Sequence, residues 1–197
     1  AEANVRGEAS PAGLLRIACP AALARLRVLP LVARYLETHA GATIDLSFQN
    51  RSVDLVEHGL DIAFLIGTPP DVSYHARRIG VFAKVCVATP AYLAARGRPL
   101  TPADLTQHNC IVYAQGIAGG TWRFAGEEVH PEGTLRVDNP EGLRTAVLAD
   151  LGIVVAPTWM FAYEQHECRL ECLLKEWPIE AVAGHLMYPA RRVGPTR

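Results

Sequence analysis

Serine is scarce in this sequence of 197 residues, and several familiar catalytic patterns are missing with it. Only four serines occur, and none lies in the Gly-x-Ser-x-Gly setting that would make it a nucleophile. The dinucleotide-binding Gly-x-Gly-x-x-Gly, the phosphate-binding Gly-x-x-x-x-Gly-Lys and the zinc-binding His-Glu-x-x-His patterns are also absent. We therefore predict that the chain is not an enzyme and that it uses no cofactor.

Charge of one sign and long apolar runs are lacking as well. The net charge is −1 at pH 7, which is not the basic balance of a nucleic-acid-binding domain. No apolar run approaches the roughly 20 residues that span a bilayer. The first residues lack the apolar core of a signal peptide. We expect a cytoplasmic location without membrane association.

The five cysteines do not form an evident disulfide framework. Cys19, Cys86 and Cys110 lie in apolar runs, where cysteine acts as a small hydrophobic residue, and this usage favours a reducing compartment. Cys168 and Cys172 lie near His166, but a second pair with ligand spacing is absent and a structural zinc site needs four ligands. We predict no metal site.

Short apolar runs alternate with amphipathic segments in the first part of the chain. The pattern predicts strands at 14–20, 43–50 and 61–67, with helices at 23–41 and 52–60 between them. Pro30 either kinks the first helix or opens its main part. The order β-α-β-α-β indicates a parallel sheet with helices on its faces.

The second part is again predicted to be α/β, with an additional hairpin. Its helix, expected at 140–152, follows the polar turn Asp138-Asn139-Pro140-Glu141. Asn139 is a favoured residue for a helix N-cap, and Pro140 is tolerated in the first helical turn. A helix start after a strand either caps the helix alone or also contacts a ligand, and the pattern leaves both interpretations open.

Several long blocks, in the same order and spacing, resemble the effector-binding domain of LysR-type transcriptional regulators. The resemblance runs from about Leu14 to Arg192. It is carried by RSVDLVEHGLDIAFLIG, HARRIG, VCVATPAYLAARGRPLTPADLTQHNCIVY and PEGLRTAVLADLGIVVAP. The blocks are specific for the family and uninformative about the effector.

The resemblance implies an α/β fold of the periplasmic-binding-protein type 2 architecture, with two Rossmann-like lobes joined by a two-strand hinge. Residues 1–13 are similar to the end of the family's linker helix. Lobe I is expected at 14–82 and 189–197, without the terminal helix that the family usually has, and lobe II at 83–188.

The resemblance also implies a function, namely sensing a small-molecule effector for a DNA-binding transcription factor. The expected partners are the effector, a second copy in a homodimer (a tetramer in the full-length protein), and DNA only through an N-terminal helix-turn-helix domain that this sequence lacks. The apolar faces of the helices at 29–36 and 143–151 are the expected dimer surfaces.

Three positions depart from the family's pattern. Leu23-Ala24 stand where Phe-Gly is frequent, His39-Ala40 where Tyr-Pro is frequent, and Leu65 where an arginine is common. Leu65 makes the first lobe's side of the cleft more apolar, which argues against a strongly anionic effector.

Ligands of open α/β sheets bind at the carboxyl ends of the strands, and helix starts offer N–H groups there. We therefore predict an effector site built by residues that follow these strand ends. They are Pro20, Ala21, Ala22, Gln49, Asn50, Gly67, Thr68, Tyr113, Gln115, Asn139, Glu141, Pro157 and Thr158.

Two other classes of protein share the two-lobed architecture. A periplasmic solute-binding protein would need an export signal, and five cysteines disfavour it. An enzyme on the same scaffold would need a nucleophile, metal or cofactor motif, and none is visible in the sequence.

Overall fold

A computed structural model describes residues 13–49, 54–70, 74–114 and 120–189 of the chain. Within these ranges the strands are β1 Gly13–Cys19, β2 Ala42–Phe48, β3 Ile62–Ile66, β4 Tyr74–Phe82, β5 Lys84–Ala88, β6 Val112–Tyr113, β7 Trp122–Phe124, β8 Glu127–Val129, β9 Arg136–Val137, β10 Val154–Pro157, β11 Glu171–Leu173 and β12 Val182–Pro189. The helices are α1 Ala21–Leu23, α2 Leu29–Thr38, α3 Pro90–Arg96, α4 Pro140–Leu148 and α5 Ala162–His166. A π-helical segment, Ala24–Val28, joins α1 to α2, and 3₁₀ turns cover Pro102–Gln107 and Thr158–Met160.

The described chain forms two compact units. Unit 1 takes its described residues from Ala1–Phe64, Pro70–Ala76 and Leu186–Arg197. Unit 2 takes its residues from Leu65–Pro69 and Arg77–His185. The lobe boundaries expected from the sequence stay a prediction.

The sheets follow the predicted alternation of strands and helices. The largest sheet has the order β2-β1-β3-β12-β4, and β1 is parallel to both β2 and β3. In unit 2, β5 lies between β10 and β11, and β6 pairs with β9 in parallel. The hairpin expected in the second part is formed by β7 and β8. The chain is therefore a mixed α/β protein, as predicted.

The three cysteines expected in the interior are buried. Cys19, Cys86 and Cys110 are at most 1% exposed, and all three are free thiols. Burial raises the pKa of Cys19 and of Cys110 to about 12, so both thiols stay protonated at neutral pH. They act as small apolar core residues, which confirms the interpretation from the sequence.

The second helix predicted in the first part is wrong within its described portion, because residues 54–60 form a turn. The Asp54 carboxylate accepts hydrogen bonds from the N–H groups of Val56 and Glu57, both at 2.9 Å. Gly59 then adopts a φ of 60°, a left-handed conformation that glycine enters without steric cost and that ends the turn. The predicted cap Ser52 lies outside the described residues.

Helix α4 is shorter than predicted and ends at Leu148 rather than at Gly152. Asp150 has a φ of 61°, which is incompatible with continuing a right-handed helix. The Asp150 carboxylate accepts a hydrogen bond from the Thr89 hydroxyl, and this contact holds the chain in its new direction. No helix in the described part of the chain is both long and apolar enough to cross a membrane.

Candidate functional site

The predicted residues of unit 1 lie together at the carboxyl edge of its sheet. β1 and β2 end side by side, with Cys19 opposite Phe48 in the register. The N–H of Gln49 donates to the carbonyl of Cys19 at 2.9 Å, which brings Gln49 next to Pro20. The first helix begins directly afterwards at Ala21, and Asn50 lies outside the described residues.

The start of this helix is lined by small side chains. The carbonyl of Pro20 accepts the N–H of Ala24 at 2.8 Å, which closes the first helical turn. Pro20 has no side chain that caps the helix by a hydrogen bond, and Ala22 is buried. The N–H groups in the first turn of a helix have no intrahelical acceptor, so backbone polarity rather than side-chain charge characterises this edge.

The predicted residues around Asn139 in unit 2 also meet at a strand end. Tyr113 lies opposite Val137 in the parallel pair of β6 and β9, and the N–H of Ala114 donates to the carbonyl of Val137 at 2.6 Å. The Asn139 side chain then accepts the N–H of Glu141 at 2.8 Å and caps α4. The predicted cap is confirmed, whereas Gln115 lies outside the described residues.

Tyr113 contributes a protonated phenol to this edge. Burial, aided by the nearby Asp138 carboxylate, raises the pKa of Tyr113 to about 12. The hydroxyl is therefore neutral throughout the physiological range and keeps its proton for donation. Asp138 itself is exposed, so a negative charge lies beside the edge.

Thr158 and Pro157 are held against the beginning of β5. Pro157 pairs with Lys84 in the antiparallel register of β10 and β5. Both the N–H and the hydroxyl of Thr158 donate to the carbonyl of Ala83, at 2.9 and 3.0 Å. Because the hydroxyl proton is already used, Thr158 offers a ligand mainly an acceptor oxygen.

Gly67 is fixed by β12, and the exposed Thr68 follows it. The Gly67 N–H donates to the carbonyl of Ala183 at 2.8 Å, and its own carbonyl lies 3.0 Å from Nδ1 of His185, which donates in the Nδ1–H tautomer. With a φ of 117°, this position favours glycine. Both backbone groups of Gly67 are engaged within unit 2, so its contribution to the site is one of shape.

Trp159 was not among the site residues predicted from the sequence. Its indole Nε1 is buried and has no acceptor among the residues that the structure describes. The ring packs at the margin of the same core as Tyr113 and meets Phe82 edge-on, with centroids 6.1 Å apart. A buried donor without an acceptor is costly, and no sequence pattern would have revealed it.

The Cys168 and Cys172 thiols, considered above as zinc ligands, are free; Cys168 is exposed and Cys172 is half-buried. The neighbouring His166 lies 3.2 Å from the Glu167 carboxylate through Nδ1. Within residues 13–49, 54–70, 74–114 and 120–189, no group of three or more metal-binding side chains converges.

Comparison with known proteins places these edges in a family context. Residues 8–197 match the family model described as the LysR substrate binding domain. The chain is 32% identical over 189 residues to an HTH-type transcriptional regulator of Escherichia coli K12, YhjC, and covers 63% of it. It is 29% identical over 198 residues to the HTH-type regulator PtxR of Pseudomonas aeruginosa, again covering 63%. These matches include 93% and 98% of the chain, which thus spans less than two thirds of these relatives.

Solved structures agree with the sequence relatives. The full-length virulence activator AphB of Vibrio cholerae superposes with a TM-score of 0.78 at 26% identity, over 90% of this chain and 62% of AphB. CrgA of Neisseria meningitidis gives a TM-score of 0.82 at 23% identity, over 91% and 63%, and shows the fold alone. Such regulatory domains have the periplasmic-binding-protein type 2 fold, which confirms the predicted fold class. The chain belongs to the LysR substrate-binding domain family.

Proposed function

We propose that this chain senses a small-molecule effector for a LysR-type transcription regulator. The family match over residues 8–197 is the observation that carries the proposal. The two strand-end edges support it, because each combines a helix start with uncharged residues: Pro20, Ala22 and Gln49 in unit 1, and Tyr113, Asn139 and Thr158 in unit 2. A sensor works because its ligand has different affinities for two conformations.

In this proposal, the chain binds the effector and a separate DNA-binding domain contacts the operator. Curated relatives are described as helix-turn-helix regulators, and none of those compared above is described as an enzyme. Within this proposal the chain acts in the cytoplasm and reaches DNA only through such a domain. A solute-binding role is not favoured by these relatives.

An in-frame deletion followed by transcript measurement tests the proposed function. In the organism that carries the gene, the codons for residues 13–189 are deleted in frame and transcript levels are compared with the parent. We expect the effector-dependent response of the target genes to be lost. The isolated chain, with a net charge of −1, should not retard an operator fragment sequence-specifically. An unchanged transcriptome, or specific retardation by the chain alone, would refute the proposal.

Substitutions of Asn139 distinguish a residue that contacts the effector from one that only caps the helix. Replacing it with alanine removes the bond to the Glu141 N–H and should lower the free energy of unfolding by about 0.5–2 kcal/mol. Asn139→Ser retains a capping oxygen and should restore most of that stability. If Asn139 binds the effector, calorimetry should show weaker binding for Asn139→Ala than for Asn139→Ser, and weaker than for the parent. Equal affinities for all three proteins would leave Asn139 as a cap only.

We further propose that the chain forms a homodimer, tetrameric in the full-length protein, through the exposed apolar face of α2. None of the residues of α2 is buried, and Leu31 is 62% exposed. The prediction that the helix at 143–151 also contributes an apolar face to the dimer is wrong in part, because Leu143 and Val147 are buried in the core of unit 2. A two-fold interface would place the same α2 face on both copies.

The substitution Leu31→Glu tests this interface. We expect light scattering to show dimers for the parent and monomers for the variant, because two charges would be buried in the interface. Stability should change little, since Leu31 is exposed within its own unit. The control is Leu100→Glu in unit 2, where the leucine is 76% exposed, and this variant should remain dimeric. A monomeric parent, or equal masses for both variants, would contradict the proposal.

A further inference from the structure

A small polar pocket lies on unit 1. Its volume is about 190 Å³, and its lining consists of Arg16, Asp45, Ser47, Gln49, His58 and Leu60. Strands β1 and β2 and the turn at 54–60 supply these residues. Five residues with hydrogen-bonding side chains and one buried leucine thus share one concave surface, which is the composition of a site for a small polar molecule.

The strand register brings the opposite charges of this pocket together. Arg16 and Asp45 are register partners on the parallel strands β1 and β2. Asp45 and Ser47 alternate along β2, so their side chains leave the same face of the sheet, and Gln49 follows directly after the strand. The backbone of Arg16 is fixed on the other side by Asp61, whose carboxylate accepts the Arg16 N–H at 2.9 Å.

The two charges do not neutralise each other. Among the ion pairs of the described residues, none joins Arg16 to Asp45, although the strands hold both at one pocket. Ser47 donates its hydroxyl proton to the carbonyl of Ile17 at 3.3 Å, which leaves its oxygen as an acceptor. A guanidinium and a carboxylate, side by side and unbridged, are complementary to a ligand that carries both signs.

We propose that this pocket binds the zwitterionic head of a free α-amino acid. The Arg16 guanidinium pairs with the α-carboxylate of the ligand, and the Asp45 carboxylate pairs with its α-ammonium group. A simple anion would face repulsion from Asp45, and a simple cation would face repulsion from Arg16. Leu60 gives the ligand's first carbons an apolar contact. The inference does not depend on the proposed regulatory function, since it concerns direct binding to unit 1.

The test uses the whole chain and the twenty standard L-amino acids as probes in calorimetry. We expect saturable binding of at least one small amino acid. The N-acetyl derivative of that amino acid, which lacks the ammonium charge, and its amide, which lacks the carboxylate, should each bind at least about tenfold more weakly.

Matched variants assign each charge to its partner. Asp45→Asn should weaken the binding of the amino acid itself. It should leave the affinity for the N-acetyl derivative unchanged, because that derivative has no ammonium group to pair with Asp45. Arg16→Gln should weaken the binding of the amino acid itself. It should leave the affinity for the amide unchanged, because the amide has no carboxylate to pair with Arg16. Arg27→Gln changes an exposed arginine on the helix of unit 1 that does not line the pocket, and it should bind like the parent protein.

Folding is checked by circular dichroism, and only variants with the parent spectrum are compared. Absence of saturable binding for all twenty amino acids overturns the inference. So does a tight-binding amino acid whose affinity is unchanged in both Asp45→Asn and Arg16→Gln. An unchanged transcriptome after the in-frame deletion, together with intact amino-acid binding, would refute the proposed function and leave the proposed amino-acid site unaffected.

Discussion

Replacing Arg144 with methionine is expected to lower the free energy of unfolding by about 3 kcal/mol, because it leaves a buried carboxylate without its charged partner. Arg144 on α4 forms an ion pair with Glu164 on α5, which is only 1% exposed. The Arg144 side chain is 26% exposed, so the expected loss lies at the lower end of the range for buried pairs. Urea denaturation followed by circular dichroism measures it.

Two further variants show whether the loss arises from the unpaired buried charge. The double variant Arg144→Met with Glu164→Met should recover most of the lost stability, since two apolar groups of similar volume replace the pair. Arg123→Met breaks an exposed pair with Glu128 at 2.8 Å and should lower the free energy of unfolding much less than Arg144→Met does, because solvent screens the exposed charges. If Arg144→Met costs no more than Arg123→Met, the pair is solvated and does not hold α4 against α5.

The substitution Gly152→Ala is expected to destabilise unit 2 by about 3 kcal/mol or more, since backbone atoms block the added methyl group. A Cβ at this buried position would lie 2.2 Å from the carbonyl oxygen of Asn109. The same carbonyl accepts the N–H of Ile153 at 2.9 Å, and the Asn109 side chain donates to the carbonyl of Leu151 at 2.5 Å. Relieving the clash therefore breaks the contacts that align this segment with Cys110.

Thermal and urea unfolding of Gly152→Ala should show the loss in the midpoint and leave the slope of the transition unchanged. Gly80→Ala is the control, because a Cβ there meets nothing within 4 Å and the residue lies in strand β4. Its stability should stay within about 0.5 kcal/mol of the parent. Equal changes in the free energy of unfolding for the two substitutions would mean that the segment around Asn109 moves to accommodate the methyl group without loss of stability.

Local signals in the sequence accounted for much of the fold. Short apolar runs bounded by glycine or proline located β1 and β3, because a buried parallel strand needs few residues and little polar alternation. The alternation of apolar and polar residues located β2. The Asn139-Pro140 dipeptide located the start of α4, because a cap is satisfied by the residues next to it. Such features depend on contacts within a few residues of one another.

The features that the sequence did not reveal depend on contacts between distant segments. Just beyond the end of α4, Asp150 accepts a hydrogen bond from Thr89, and these two residues are far apart in the chain. The polar pocket exists because the register places Arg16 beside Asp45. Trp159 stands out only because its indole nitrogen is buried without an acceptor in the described part of the chain. Periodicity and propensity contain no information about such pairings.

The π-helical segment Ala24–Val28 lies between the strand-end edge of unit 1 at Ala22 and the exposed face of α2 that carries Leu31. Only Leu29 separates this segment from Pro30, whose missing N–H would leave a regular α-helix with an unpaired carbonyl at this point. A π turn holds about one residue more than an α turn, so returning this segment to α geometry rotates everything beyond it by about 100°. A shift of a single residue in this segment would thus change the direction in which Leu31 faces.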